Sequence, residues 1–466
     1  MTELQAMIGL EVHVQLNTQS KLFCSCANKE NEEPNSNTCQ ICLGHPGSKP
    51  LVNKQAIEKS IKLGIGLNCK INTSSFFSRK TYFYPDMSKN FQITQYEIPL
   101  CENGFITLDN GKKIRIRRVH LEEDPAKLMH KGTITESTGT LIDYNRSGCP
   151  LVEIVSEPDI ENPEQAREFL DKLTSILDYL EVFDEVNGTL KADSNISIKG
   201  NERVEVKNVT GKKNVELALN YEFERQKKLV EQGEKIKLET RAFDEEKIIT
   251  RSLRSKESEE DYGYIFEPDL PEIEIDAKWL NEIKKSIPEL PEQKIKRFEK
   301  EFGIDKTSAS VLAIDRFLAE LFEKTAKVNP KMVASFMQIE FLSVIKHDNH
   351  SLKELNLKSD DLLELMKLLN ENKITKQTAK QSVIEWINKK VKPIDFIKKN
   401  NLMKVSDVKD LEKIVDSVLK ENKKAIDEFK AGNEKSLNYL QGQVMKASQG
   451  KADQKIARDL ILQKLK

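Results

Sequence analysis

Near the start of the chain, apolar and polar residues alternate with a period of two. Leu10, Val12, Val14 and Leu16 fall on one face, and Glu11, His13 and Gln15 on the other. This predicts a half-buried strand over Ile8–Leu16. Same-face side chains on a strand stand about 7 Å apart, so Glu11 and His13 can converge on one ion. A lone His opposite an apolar face is more often a surface or hydrogen-bonded residue. The neighbouring carboxylate, and a second acidic strand farther on, move His13 toward a ligand role.

That second strand lies in the densest stretch of chemistry, Ile114–Asp159. Alternation holds through Ile116 and slips at the Arg117–Arg118 pair. Beyond the slip, Val119 and Leu121 share one face while His120, Glu122 and Asp124 share the other. The pattern predicts a strand with a bulge, ended by Pro125. Leu151–Val155 reads as a buried strand with one carboxylate, Glu153, in its middle. An unpaired charge there would cost on the order of several kcal/mol. Glu153 therefore meets either a bound cation or a basic partner, for which Arg146 and Lys127 stand near in sequence.

In Arg79–Asp86, Lys80, Tyr82 and Tyr84 alternate onto one face of an extended segment. Aromatic strands are more often core, but this row of polar tips points to a lined cavity. Short strands follow at Ser194–Ile198 and Arg203–Val209. The chain to about residue 275 thus reads as one large, mainly antiparallel α+β domain. From about Trp279 the period becomes helical. Val311, Leu312, Ile314, Phe317, Leu318, Leu321 and Phe322 form an expected core stripe. Ser351–Asn356 reads as a junction before a Lys-rich helical tail.

A chain of 466 residues has room for two or three domains. Lys and Arg (74) nearly balance Asp and Glu (75), so any nucleic-acid contact must come from a local patch. Residues 441–466 hold such an excess, six Lys and Arg against two Asp, although a charge run is usually a solvated helix face. No signal peptide and no membrane-length apolar run is found, so a cytoplasmic protein is expected. Of seven cysteines, Cys24 and Cys26 precede Cys39 and Cys42, two tight pairs that match a closed structural zinc site. Cys69, Cys101 and Cys149 read as small core residues. Neither a phosphate-binding Gly-Lys-Ser/Thr loop nor a third Gly after Gly64-Ile-Gly66 is present, and there is no Gly-x-Ser-x-Gly elbow.

Several stretches resemble the GatB family, one of the subunit types of the aspartyl/glutamyl-tRNA amidotransferases. They are Gly9–Leu16, Pro34–Asn37, Arg79–Asp86, His120–Asp124, Leu151–Asp159, Glu239–Arg241, Arg254–Lys256, Glu267–Pro271 and Gly442–Ala447. They keep the family's order over nearly the whole chain. The resemblance implies a cradle-like domain over 1–278, a helical domain over 279–353, and a YqeY-like helical tRNA-binding tail over 354–466. It implies ATP-dependent activation of the side-chain carboxylate of Asp or Glu misattached to tRNA-Asn or tRNA-Gln. Ammonia from an amidase-type partner subunit would then form the amide, with a small third subunit completing the complex.

Carried over by residue, the resemblance puts a Mg²⁺ site on Glu11, His13, Glu122 or Glu123, and Glu153. His13 is an unusual partner for an ion that prefers oxygen, and is expected to bind weakly or through water. Lys80, Tyr82 and Lys89 would stand near the ammonia exit. Lys446, Lys451 and Lys455 are candidate tRNA phosphate contacts. Pro125-Ala126, Ser88 and Gly263 depart from the family's usual residues. Two rivals differ in class. A non-catalytic tRNA-binding scaffold is opposed by the intact acidic residues, and a zinc hydrolase by the closed set of four cysteines.

Overall fold

The predicted N-terminal strand is β1 (Ala6–Gln15), at the middle of the largest sheet. Ile8, Leu10, Val12 and Val14 are at most 1% exposed, whereas Glu11, His13 and Gln15 are only half-buried. A one-residue slip would bury an acid and an imidazole and expose four aliphatics. Each aliphatic contributes about 1.5–3 kcal/mol when buried, which pins the register.

The computed structural model describes residues 4–29, 33–130, 139–183, 190–254, 262–347, 352–403, 408–430, 433–448, 452 and 454–465. The chain divides into two compact units, Met1–Leu290 and Pro291–Lys466.

The first unit continues with β2 (Lys70–Ile71), β3 (Ser74–Ser75), β4 (Ser78–Thr81), β5 (Phe91–Thr94), β6 (Cys101–Thr107) and β7 (Lys113–Glu123). Then come β8 (Lys127–His130), β9 (Thr140–Asp143), β10 (Pro150–Ser156), β11 (Lys191–Ile198) and β12 (Val204–Thr210). The last are β13 (Glu239–Asp244), β14 (Ile249–Arg254), β15 (Gly263–Phe266) and β16 (Ile273–Glu274). Among the described residues one sheet runs β14-β13-β12-β11-β1-β10-β7-β5-β4-β15, with β6 also on β7 and β2 on β6. Its pairs are antiparallel except β12 with β13. The mainly antiparallel α+β architecture expected from the sequence is thus the one observed.

Three helices, α1 (Lys54–Gly66), α2 (Pro163–Tyr179) and α3 (Lys212–Glu231), pack with one another and on this sheet. Asn53 caps α1 through its side chain, and Asn162 with Pro163 starts α2. A Cβ at Gly64 would come within 2.3 Å of Cys101 Sγ, so α1 reaches β6 only because glycine stands there. Gly64 and Gly66 are therefore helix residues at a close approach. Cys101 and Cys149 are buried, and Cys69 is half-buried.

β7 carries the predicted bulge. Val155 pairs with Arg118 and Ser156 with Ile116, leaving Arg117 as the extra residue. The extended row expected at Lys80, Tyr82 and Tyr84 is shorter than read. β4 ends at Thr81, and Tyr84 turns outward to 53% exposure at a turn closed by Met87 N–H on its carbonyl (3.0 Å). Pro85, in the middle of that turn, cannot donate to a ladder.

The second unit is helical throughout its described elements, from Pro291–Phe302 to Gln454–Leu465. Phe298, Phe302 and Phe322 pack edge-on at 5.0–5.5 Å. The expected core stripe holds at Leu312, Leu318, Leu321 and Phe322, but Ile314 is 52% exposed. The helix breaks there because Asp315 caps a new one, accepting from Leu318 N–H at 2.8 Å. The stretch read as a junction holds a short helix, Leu352–Leu355, with both leucines buried, and Ser351 lies outside the described residues. From Leu411 to Ile461 a separate cluster of buried aliphatics forms its own small core.

Candidate active site

The polar face of the sheet is built by register. Glu153 on β10 stands between His120 on β7 and His13 on β1. In the next row Val155 stands between Arg118 and Glu11, and Glu11 faces Asp193 on β11. These side chains line a cavity of about 870 Å³ together with Lys80, Tyr82, Glu122, Glu205, Lys207, Tyr262 and Tyr264.

Two acidic clusters share the cavity. In the first, His13 Nε2 lies 3.7 Å from Glu122 and 3.6 Å from Glu153. His120 Nε2 stands 3.5 Å from the same Glu153 carboxylate. In the second, carboxylate oxygens of Glu11, Asp193 and Glu205 lie within 4.8 Å of one another. Asn195 donates to Glu11 at 3.0 Å and Thr240 to Glu205 at 3.1 Å. Lys207 approaches Glu205 at 3.7 Å and Asp193 at 3.9 Å.

Electrostatics separates the roles in the first cluster. Burial opposes a charge on His13, yet the hydrogen bond and charge of Glu153, aided by Glu122 and Asp193, raise it to about 10. Burial and the adjacent Glu153 push the Glu122 carboxyl up to about 7. Burial also works against ionised Glu153, but His120, His13 and Lys80 hold it well below the usual carboxylate range. His120 itself is driven down to about 4 by burial. Where His120 is neutral its pull is lost, and His13 with Lys80 keeps Glu153 charged. The imidazolium thus supplies the positive charge that the two carboxylates share.

The donor set fits a divalent cation. Carboxylates crowded within a few ångströms repel unless a cation joins them, and the oxygen-rich mixture suits a hard ion. An imidazole binds metal only when neutral, so an ion among these donors would displace the proton of His13. The Nδ1 of His120 is buried without a hydrogen-bond partner, a further polar group held in the cavity wall.

Of the residues singled out from sequence, Glu11, His13, Glu122, Glu153, Lys80 and Tyr82 meet in the cavity. Burial pushes the Tyr82 phenol up, so it stays neutral. Glu123 and Lys89 do not line the cavity. Strand alternation turns Glu123 away from Glu122, and it pairs with Lys89 at 2.5 Å and accepts from Ile93 N–H at 2.9 Å. Tyr84 is likewise outside it. Sequence reading missed Asp193, Glu205 and Lys207, although Arg203, Glu205 and Lys207 alternate with Val204 and Val206, and Lys191, Asp193 and Asn195 with Ala192, Ser194 and Ile196. Lys446 is exposed on the helix Glu434–Ala447. Lys451 lies outside the described residues, as does the side chain of Lys455.

The cysteine cluster is separate and local. The Sγ atoms of Cys24, Cys26, Cys39 and Cys42 lie within 4.8 Å of one another, and Cys39 and Cys42 are 3.9 Å apart. Sulfurs on one tetrahedral zinc stand roughly 3.8 Å apart, given a bond near 2.3 Å. Cys39 N–H donates to Cys42 Sγ at 3.1 Å. The Cys24 thiol, that amide and Lys21 pull the Cys42 thiol down to about 5 against its burial. Lys21 is fully buried, 3.8 Å from Cys42 Sγ and 2.9 Å from the Asn37 carbonyl. A buried cation there offsets thiolate charge. No described helix is long and apolar enough to cross a membrane.

Comparison with known proteins joins the two halves of this description. A family profile described as the GatB/GatE catalytic domain matches residues 6–281, and one described as the GatB domain matches 320–465. The chain is 40% identical to the GatB subunit of the aspartyl/glutamyl-tRNA(Asn/Gln) amidotransferase of Carboxydothermus hydrogenoformans, covering 100% of this chain and 99% of that one. It is 42% identical to the corresponding subunit of Thermodesulfovibrio yellowstonii, covering 99% of each. Against that of Methanospirillum hungatei the identity is 44% over 97% of each.

Proposed function

Because this chain belongs to the GatB family of tRNA-dependent amidotransferase subunits, we propose that the acidic cavity is where a misattached Asp or Glu side chain is activated and amidated. The protein is one subunit of a multi-subunit, ATP-dependent ligase acting on aminoacyl-tRNA. The observation that carries the placement is the pair of carboxylate clusters side by side on adjoining strands in one cavity.

In this reading His13, Glu122 and Glu153 hold one Mg²⁺, and Glu11, Asp193 and Glu205 are able to hold another. Bound there, Mg²⁺ would neutralise the phosphates of ATP and clamp them for transfer to the substrate carboxylate. The chain's own groups then do the rest. Asn195 and Thr240 orient Glu11 and Glu205 by hydrogen bonds. Tyr82 packs edge-on to Tyr262 at 6.1 Å, and Lys80 Nζ stands 4.8 Å from the Tyr262 ring. These three wall off one side of the cavity, where ammonia from an amidase-type partner subunit would arrive. A small third subunit would complete the complex. Lys89 is held by Glu123 outside the cavity lining. The four cysteines are read as a structural zinc site, and the Lys-rich helices over 354–466 as the tRNA-binding tail.

The test is to reconstitute the complex and follow ADP formation on Asp-tRNA-Asn and Glu-tRNA-Gln in parallel. Glu153→Gln and Glu11→Gln are expected to abolish it with folding intact. Normal activation in both variants would return these carboxylates to a structural role and favour the scaffold alternative.

A further inference from the structure

The bulge in β7 has a chemical result that the carboxylate clusters do not account for. Counting back from Glu122 and His120, alternation puts Arg118 on the cavity face, while Ile114, Ile116 and Val119 are buried on the apolar side. The extra residue at Arg117 lets Arg118 join His120 and Glu122 on the cavity face while Ile116 stays in the core, the kind of adjustment that bulges beside active sites make. Arg117 is 61% exposed and pairs with Glu157 at 3.0 Å. Arg118 is half-buried, and its Nε is buried with no hydrogen-bond partner.

Several other described arginines in this unit are satisfied. Arg79 forks onto Glu267 at 2.7 and 2.8 Å, and Arg146 donates to the carbonyls of Pro125 and Ala126 at 3.0 and 2.9 Å. Arg225 and Arg241 close on Glu222. Leaving a buried donor unpaired costs about 1–3 kcal/mol, which a fold sustains where a ligand completes the bond. The register says which ligand. Arg118, Val155, Glu11 and Asp193 form one row across β7, β10, β1 and β11. Strands lie about 4.8 Å apart, so the Arg118 and Glu11 backbones are roughly 10 Å apart with only the valine between them. A tetrahedral oxyanion fits over Val155, gripped by the guanidinium from one side. Planar guanidinium donors match such an oxyanion with two parallel bonds.

We propose that Arg118 is a catalytic residue that grips the phosphoryl group as it passes from the nucleotide to the side-chain carboxylate. The assignment rests on the activation reaction proposed above. In that step the bond from the terminal phosphorus to the ADP oxygen breaks, and ADP leaves with the electron pair. A bond from phosphorus to a carboxylate oxygen forms, with nothing oxidised or reduced. Arg118 stabilises the charge spread over the three other oxygens of the group in flight. The same guanidinium chemistry would also suit a backbone phosphate of the tRNA acceptor end, and kinetics tells the two apart.

The experiment uses the reconstituted complex with ATP, Mg²⁺ and misacylated tRNA. Arg118→Ala and Arg118→Gln are expected to lower kcat for ADP formation at least ~100-fold, with KM for the tRNA unchanged. Free guanidinium should restore part of the rate to Arg118→Ala and none to wild type. Wild-type kcat in the variants would overturn the proposal. So would a loss confined to KM for the tRNA, which would mark a backbone contact, or two variants that fail to fold, which would mark a structural residue. A wild-type complex that itself makes no ADP would overturn the activation reaction; wild-type activity matched by Arg118→Ala overturns only the role of Arg118.

Discussion

The cysteine cluster and the acidic cavity lie in the same unit, and both present converging ligand atoms. They are built in opposite ways. The four cysteines fall within Cys24–Cys42, and a local turn with one amide–sulfur bond brings them together. The cavity draws its carboxylates from β1, β7, β10, β11 and β12, from Glu11 to Glu205, and depends on the register of a whole sheet. The first is closed, with a buried Lys21 balancing thiolate charge. The second is open, holds like charges close together, and keeps His120 Nδ1 and Arg118 Nε without a hydrogen bond in its wall. A closed set suits structure, and an open, electrostatically strained set suits chemistry.

On that contrast, stability and activity should separate cleanly. The largest stability effect is expected from Cys42→Ser, which removes one of four metal ligands. It should cost about 3 kcal/mol or more and release zinc, seen as a lower Tm and by metal analysis. Purified wild-type protein with no zinc and four freely titratable thiols would break the comparison on this side.

Glu205→Gln should behave in the reverse way. ADP formation on misacylated tRNA should fall on the order of 100-fold, while Tm stays level or rises because one like charge leaves the cluster. A lowered Tm with full activity would make the second cluster structural.

A smaller effect is expected in the helical unit. Ending the chain after Met403 removes the separate small core of Leu411–Ile461. We expect KM for tRNA to rise roughly tenfold, since each lost phosphate contact also flattens the salt dependence. Folding of the first unit should be unchanged. Equal affinity at every salt concentration would reduce the basic helices to a solvated face.

The smallest effect is a null. Burial pushes the Cys149 thiol up to about 12, which keeps it from serving as a nucleophile at neutral pH. Cys149→Ala should leave glutamine use by the complex untouched, and the isolated chain should hydrolyse no glutamine. Glutaminase activity in the single chain that Cys149→Ala abolishes would reassign the labour between subunits.

Much of the architecture is legible in the sequence. The alternation of β1, the slip at Arg117–Arg118 and the lone Glu153 in an apolar strand each follow from a period of two and the cost of a buried charge. The cysteine pairs are local, so their spacing carries their geometry. Partner choice is not legible there. Alternation from His120 sets Glu122, not Glu123, on the polar face, but says nothing of what it meets there. Asp193 and Glu205 are visible as polar positions, but only the pairing of β1 with β11 and β11 with β12 places them against Glu11. Tyr84 leaves the cavity because Pro85 closes a turn. Sequence by itself therefore determined which side chains share a face of each strand, since that depends on neighbours along the chain. Tertiary structure alone decided which faces meet, because register between strands distant in sequence is set by the packing of the whole sheet on its helices.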